Sequence, residues 1–87
     1  MTFEEILQGV KEETAGALGI EPAEISETHL LVADLGAESI DFIDLTFRLE
    51  KRFHFDIPEG ELFESSATPA SQLNVRSVAE YIQKLQP

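Results

Sequence analysis

The sequence predicts an all-α fold, a small four-helix bundle of three longer helices and one short third helix. Three observations carry that expectation. Apolar residues recur at helical spacing in three separate segments, and Gly, Pro or small polar residues punctuate the chain between them. No alternating apolar–polar stretch is long enough to make a sheet. With 87 residues the chain has the length of one domain, assigned to residues 1–87, and 43% apolar content takes it well clear of disordered compositions.

The first helix is expected over residues 3–18. Thr2-Phe3-Glu4-Glu5 has the spacing of a capping box, in which Thr2 and Glu5 satisfy each other's end of the turn. Phe3, Ile6, Leu7, Val10, Ala17 and Leu18 follow on one side, and Gly19 is the stop. Residues 19–38 read as a long connection with one brief helical turn at Pro22–Glu24 and apolar anchors at Leu30, Leu31, Val32 and Leu35. Long ordered loops in small domains tend to serve function.

The second helix is expected over residues 39–53. At about 100° per residue, Asp41, Asp44, Arg48, Lys51 and Arg52 fall on one narrow stripe, acidic at its start and basic at its end as the helix dipole favours. Ile40, Phe42, Ile43, Leu45, Phe47, Leu49 and Phe53 take most of the remaining circumference. That pattern predicts the central helix of the fold, packed on several sides and showing solvent only its charged strip. A short third helix is expected near residues 59–64, contributing Leu62 and Phe63, followed by a loop of small residues over 65–71. Asn74 is a good N-cap for a last helix bearing Val75, Val78, Ala79, Ile82 and Leu85.

The formal charge is −11, from 17 acids and 6 bases. It excludes the usual nucleic-acid binder, which needs a basic stripe, and disfavours an anionic membrane surface. The acidity is uneven: residues 1–47 hold eleven acids and one base, Lys11, whereas residues 48–87 hold six acids and five bases. A surface of this kind suits proteins with basic patches. There is no cysteine, hence no disulfide, thiolate metal site or thiol nucleophile. No basic-then-apolar leader and no run of roughly 20 apolar residues is present, so a cytoplasmic location without membrane insertion is expected.

Catalytic constellations are weak. His54 stands 15 residues beyond Ser39, about 22 Å along a continuous helix. His29 lies in the preceding loop without the pattern of a nucleophile elbow, and residues 34–44 lack the spacing of a calcium loop. No catalytic residue and no metal site is assigned. The run Asp34-Leu35-Gly36-Ala37-Glu38-Ser39-Ile40-Asp41 is different, because it sets a serine at the mouth of the second helix after a glycine turn. Two readings stand side by side: Ser39 caps the helix, or its hydroxyl carries a phosphate ester favoured by the N-terminal field.

This run resembles the acyl carrier protein family, whose signature is Asp-Ser-Leu at the start of the second helix after Asp-Leu-Gly. It stands here as Asp34-Leu35-Gly36 and Glu38-Ser39-Ile40-Asp41, and the likeness continues through Ile43, Leu45, Leu49-Glu50, Phe53 and Ile57-Pro58 to Val75 and Ala79-Glu80-Tyr81-Ile82. The resemblance implies a non-catalytic carrier. Ser39 would hold a covalent 4′-phosphopantetheine donated by coenzyme A, and acyl intermediates would ride on its thiol as thioesters. It implies partner contacts at Glu38, Ile40, Asp41 and Asp44, facing basic patches on a phosphopantetheinyl transferase and on acyl-processing enzymes. It also implies an acyl cavity at Ile43, Phe47, Leu62 and Phe63, and a monomer is expected. A peptidyl, aminoacyl or lipid A-type carrier, and an unmodified acidic helical adaptor, are the alternatives.

Some residues depart from the family pattern. Glu38 stands where Asp is common and Ile40 where Leu is common; Phe42 brings a large aromatic where a small polar residue is expected. Arg48, Lys51 and Arg52 add positive charge to a usually acidic helix half, and the 59–73 stretch is long. Together they point to a specialised carrier in fatty-acid, polyketide or related lipid synthesis.

Overall fold

A computed structural model describes residues 1–57 and 70–85. Three α-helices run in order, α1 over Phe3–Leu18, α2 over Ser39–Phe53 and α3 over Val75–Leu85, with 3₁₀ turns at Pro22–Glu24 and Ala70–Gln72. No strand occurs among the described residues; Leu30 and Asn74 form one isolated antiparallel bridge. The short third helix expected near 59–64 lies outside the described residues, so the structure supports an all-helical fold of three counted helices.

Both ends of α1 obey the local chemistry of the sequence. The Thr2 backbone N–H donates to Glu5 Oε1 at 2.8 Å and the Glu5 N–H to Thr2 Oγ1 at 3.2 Å. The bond from Thr2 holds the Glu5 carboxyl below its ordinary value. At the far end Gly19 adopts φ 72°, a left-handed conformation natural to glycine, and its N–H closes on the Ala15 carbonyl at 2.8 Å.

The helix that packs against both others is α1, not α2 as the sequence pattern led us to expect. Its buried Ile6 and Val10 meet one stripe of α2, made of Phe42, Leu45, Leu49 and Phe53, and one of α3, made of Val75, Val78, Ala79 and Ile82. Spacings of three and four residues align each stripe on one face. The other apolar side of α2 is uncovered: Ile40 is 69% exposed, Ile43 50% and Phe47 60%. The expectation that α2 shows solvent only a charged strip is therefore corrected. Seven apolar residues made two stripes, and α1 covers only one.

Close approach of α1 and α2 depends on two glycines. A Cβ on Gly9 would lie 2.8 Å from Phe53 Cζ and 3.0 Å from Arg52 Nε, whereas one on Gly16 would meet Arg48 Nη1 at 2.6 Å. The Phe53 ring is buried and lies beside Phe55, with ring centroids 6.4 Å apart, so making room for a Cβ means shifting a packed core side chain. The Arg48 guanidinium is the end of a flexible, half-exposed side chain. Gly9→Ala should thus lower the melting temperature by overpacking, a cost of about 1–3 kcal/mol. Gly16→Ala should leave it unchanged or raise it through helix propensity, by up to about 1 kcal/mol. Thermal denaturation of both variants checks the contrast.

Over these glycines lie the bases of α2. Arg48 Nε donates to Asp44 Oδ2 at 3.0 Å and its Nη1 sits 3.8 Å from Glu13; Arg52 Nη1 reaches Glu12 at 2.7 Å and Glu13 at 3.0 Å. The Glu12 carboxyl is held below its ordinary value first by the Gln8 side-chain amide and then by Arg52. Glu13 in turn raises the Arg52 guanidinium against its partial desolvation. Each such half-exposed pair is worth only about 0.2–1 kcal/mol, but together they fix how α2 is rotated against α1.

The long connection is ordered by its ties to α3. Leu31 donates to the Leu73 carbonyl at 2.9 Å, Val75 to that of His29 at 3.2 Å and Arg76 to that of Glu27 at 2.9 Å. The Arg76 guanidinium also binds Glu27 at 2.7 Å and lies 5.2 Å from the centroid of the Phe3 ring. As expected, Asn74 caps α3, accepting from the Ser77 N–H at 2.7 Å and hydroxyl at 2.8 Å. Within the core, Thr14 Oγ1 is buried with no hydrogen-bond partner among the described residues. Thr14→Val keeps the shape and removes the stranded hydroxyl, so it should raise stability by about 1 kcal/mol, read as an increased melting temperature. A decrease would mean that the hydroxyl is satisfied in solution.

Candidate functional site

The segment before α2 is a wound turn closed by its own backbone. Asp34 and Leu35 donate to the Leu30 carbonyl at 3.0 and 3.1 Å, Gly36 to that of Val32 at 3.0 Å and Ala37 to that of Leu31 at 2.8 Å. The Asp34 carboxylate reaches back to accept the Leu30 N–H at 2.7 Å. Gly36 has φ 73°, which turns the chain into α2 at little steric cost. Because Leu31 is buried and bonded to Leu73, the turn is anchored to the start of α3.

Helix α2 begins with Glu38 in the cap position, at φ −110° and ψ 174°, and Ser39 as its first helical residue. The Glu38 N–H donates to Asp41 Oδ2 at 2.8 Å, and the Glu38 carbonyl accepts from Asp41 at 3.0 Å and Phe42 at 3.2 Å. Ser39 is therefore not the cap. Its side chain is exposed and makes no hydrogen bond among the described residues. An exposed hydroxyl at the first turn of a rigid helix, beside backbone N–H groups that have no carbonyl partner within the helix, is well placed to bear a phosphate ester.

The other expected site residues divide. Glu38, Ile40 and Asp41 surround Ser39, with Ile40 outermost and Asp41 half-buried. Asp44 lies further along and its charge is engaged by Arg48. Ile43 and Phe47, expected to line an acyl cavity, stand on the outer face of α2, away from its buried stripe. Leu62 and Phe63 lie outside the described residues. An open cleft of about 520 Å³ borders Phe47 and is lined otherwise by Glu13, Asp44, Arg48, Lys51 and Arg52, a charged surface groove. Phe42, flagged from the sequence as an anomaly, is a core residue.

Each histidine has a local structural role. His29 Nδ1 accepts the Ser26 N–H at 3.0 Å, and His54 closes the opposite end of α2 in a left-handed conformation at φ 60°. Among the described residues no group of three or more His, Cys, Asp or Glu could hold a metal, and no helix is long and apolar enough to cross a membrane.

Sequence reasoning missed two features: the Asp34 bond to Leu30 and the outer apolar stripe of α2. The stripe had a signal. Phe42, Leu45, Leu49 and Phe53 already complete one core-facing row, so Ile40, Ile43 and Phe47 were surplus.

Comparison with known proteins bears on the Ser39 turn. Residues 8–82 match the family described as Phosphopantetheine attachment site. This chain belongs to the acyl carrier protein family. The acyl carrier protein of Rubrobacter xylanophilus is 39% identical over 61 residues, covering 70% of this chain and 75% of that protein. That of Wolinella succinogenes is 38% identical over 56 residues, covering 64% and 74%. That of Campylobacter concisus is 26% identical over 80 residues, covering 92% and 95%. The acyl carrier family carries covalently attached 4′-phosphopantetheine and is one of carriers rather than catalysts. The group fits the local structure: attachment needs a reachable hydroxyl, and Ser39 offers one in a rigid setting.

Proposed function

We propose that Ser39 is the attachment point of the 4′-phosphopantetheine arm, and that residues 1–87 act as one carrier domain for acyl groups in fatty-acid, polyketide or related lipid synthesis. The observation that carries this reading is the Ser39 hydroxyl, exposed at the first turn of α2 and without a hydrogen bond among the described residues. When bound, the arm supplies a terminal thiol, on which acyl groups are held as thioesters. The protein's own residues supply position. Asp34 and Gly36 shape the turn, Glu38 takes over capping, and Asp41 holds the Glu38 N–H. Ser39 is thereby left free for a transferase to approach.

Glu38 and Asp41 are the charges we assign to that approach, attracting basic patches of the transferase and of acyl-processing enzymes; rim charges of this kind act mainly on association rate. Asp44, partly neutralised by Arg48, contributes less. Ile40 adds apolar contact beside the serine. The reading makes the carrier a monomer working in the cytoplasm. Intact mass after incubation with coenzyme A and a broad-specificity phosphopantetheinyl transferase tests it. One added phosphopantetheinyl group is the expected result. A folded protein left unmodified by several transferases would favour an acidic helical adaptor instead.

A further inference from the structure

The outer face of α2 holds Ile40, Ile43, Phe47 and Lys51, spaced as one row of a helix. The first three are half-exposed or more, and Lys51 is exposed at the end of the row. The neighbouring bases are spoken for: Arg48 is paired with Asp44 and Glu13, and Arg52 with Glu12 and Glu13. Lys51 is paired with no carboxylate among the described residues. The row therefore carries Glu38 and Asp41 at one end, apolar side chains in its middle and, at the other end, a positive charge with no carboxylate partner among the described residues.

We infer that Lys51, at the far end of this row, determines which acyl-processing enzymes the face accepts. Its occupant is an enzyme surface with an apolar centre, basic groups toward Ser39 and a carboxylate facing Lys51. This rests on the carrier reading above. From Ser39 to Lys51 the helix rises about 18 Å over twelve residues. A standard protein interface covers about 800 Å² per partner, roughly 30 Å across, so a footprint centred on Ile43 and Phe47 includes both ends. An enzyme whose docking surface is basic throughout meets Asp41 favourably and Lys51 unfavourably. A like charge inside a footprint selects against that enzyme without altering the attachment site.

The test uses the holo protein, its loading first verified by mass, and a malonyl-coenzyme A:carrier transacylase selected for a uniformly basic docking surface. Lys51→Glu should raise kcat/KM for malonyl transfer about three- to tenfold at low salt, with the gain shrinking in high salt. Lys51→Gln should fall between the two, and is the variant to use if Lys51→Glu melts early. Lys84→Glu makes the same change of net charge on exposed α3 and should have little effect. When docking-surface bases of the transacylase are changed to Glu one at a time, at least one change should reverse the preference in favour of Lys51. Equal gains from Lys84→Glu and Lys51→Glu, no gain from either Lys51 variant, or no reversal would overturn the inference. A protein that never acquires the arm would overturn the carrier reading itself, a result visible in the mass spectrum before any transfer is measured.

Discussion

Ser39→Ala is expected to abolish addition of the phosphopantetheinyl group while leaving the fold intact. The two halves of that expectation have separate physical grounds. Modification needs a hydroxyl, and the chain's other described serines are less suited to the reaction. The Ser26 hydroxyl shares a hydrogen bond with Thr28, the Ser77 hydroxyl donates to Asn74, and Ser71 lies in the 3₁₀ turn Ala70–Gln72, ahead of α3 and not in its first turn. Stability should hardly respond. The capping position belongs to Glu38, the Ser39 hydroxyl bonds to nothing described, and alanine is the best helix former. Had Ser39 been the cap, the same substitution would cost about 0.5–2 kcal/mol. Intact mass and thermal denaturation on one sample therefore separate the roles. Loss of the added mass with an unchanged melting temperature is the expected pair. Residual single modification in Ser39→Ala would move the attachment point elsewhere.

That distinction was not available from the residues alone. Glu38-Ser39-Ile40-Asp41 satisfies the rules for a helix start whether Glu38 or Ser39 is the cap, since Ser is a common cap and acids suit the first turn. The choice depends on the preceding turn, which is set by Asp34 folding back on Leu30 and by the anchoring of Leu31 to Leu73, a contact across 42 positions of sequence. Where the signal was local it could be read directly. The Thr2–Glu5 capping box, the Gly19 stop, the turn at Pro22–Glu24 and the Asn74 cap all occur where short-range hydrogen-bonding rules put them. The same holds for the Asp44–Arg48 pair at i,i+4. What could not be read was the partner of each helix face. Periodicity says that Leu49 and Phe47 lie on different sides of α2, but only the position of α1 says which side is interior.

Leu49→Ala and Phe47→Ala together measure that assignment. Leu49 is completely buried in the α2 stripe that meets α1, so its truncation removes apolar contact and leaves a cavity. Such changes cost about 2–5 kcal/mol. A small domain has about 5–15 kcal/mol in total, commonly near the lower end at this size, and loses roughly 4–8 °C in melting temperature per kcal/mol. The expected drop for Leu49→Ala is accordingly tens of degrees or outright unfolding. Phe47 carries a larger side chain, yet it is mostly in water already and forfeits little burial. Phe47→Ala should stay within about 0.5 kcal/mol of the parent, as surface substitutions do. If Phe47 lined a closed acyl cavity, its removal would be costly too, so comparable melting temperatures for the two variants would return it to the interior. The expected inequality has a functional corollary. An aromatic side chain kept in water without structural need is available for contact with another surface. Phe47→Ala should therefore slow transfer by a docking enzyme while leaving attachment of the arm, and the melting curve, nearly untouched.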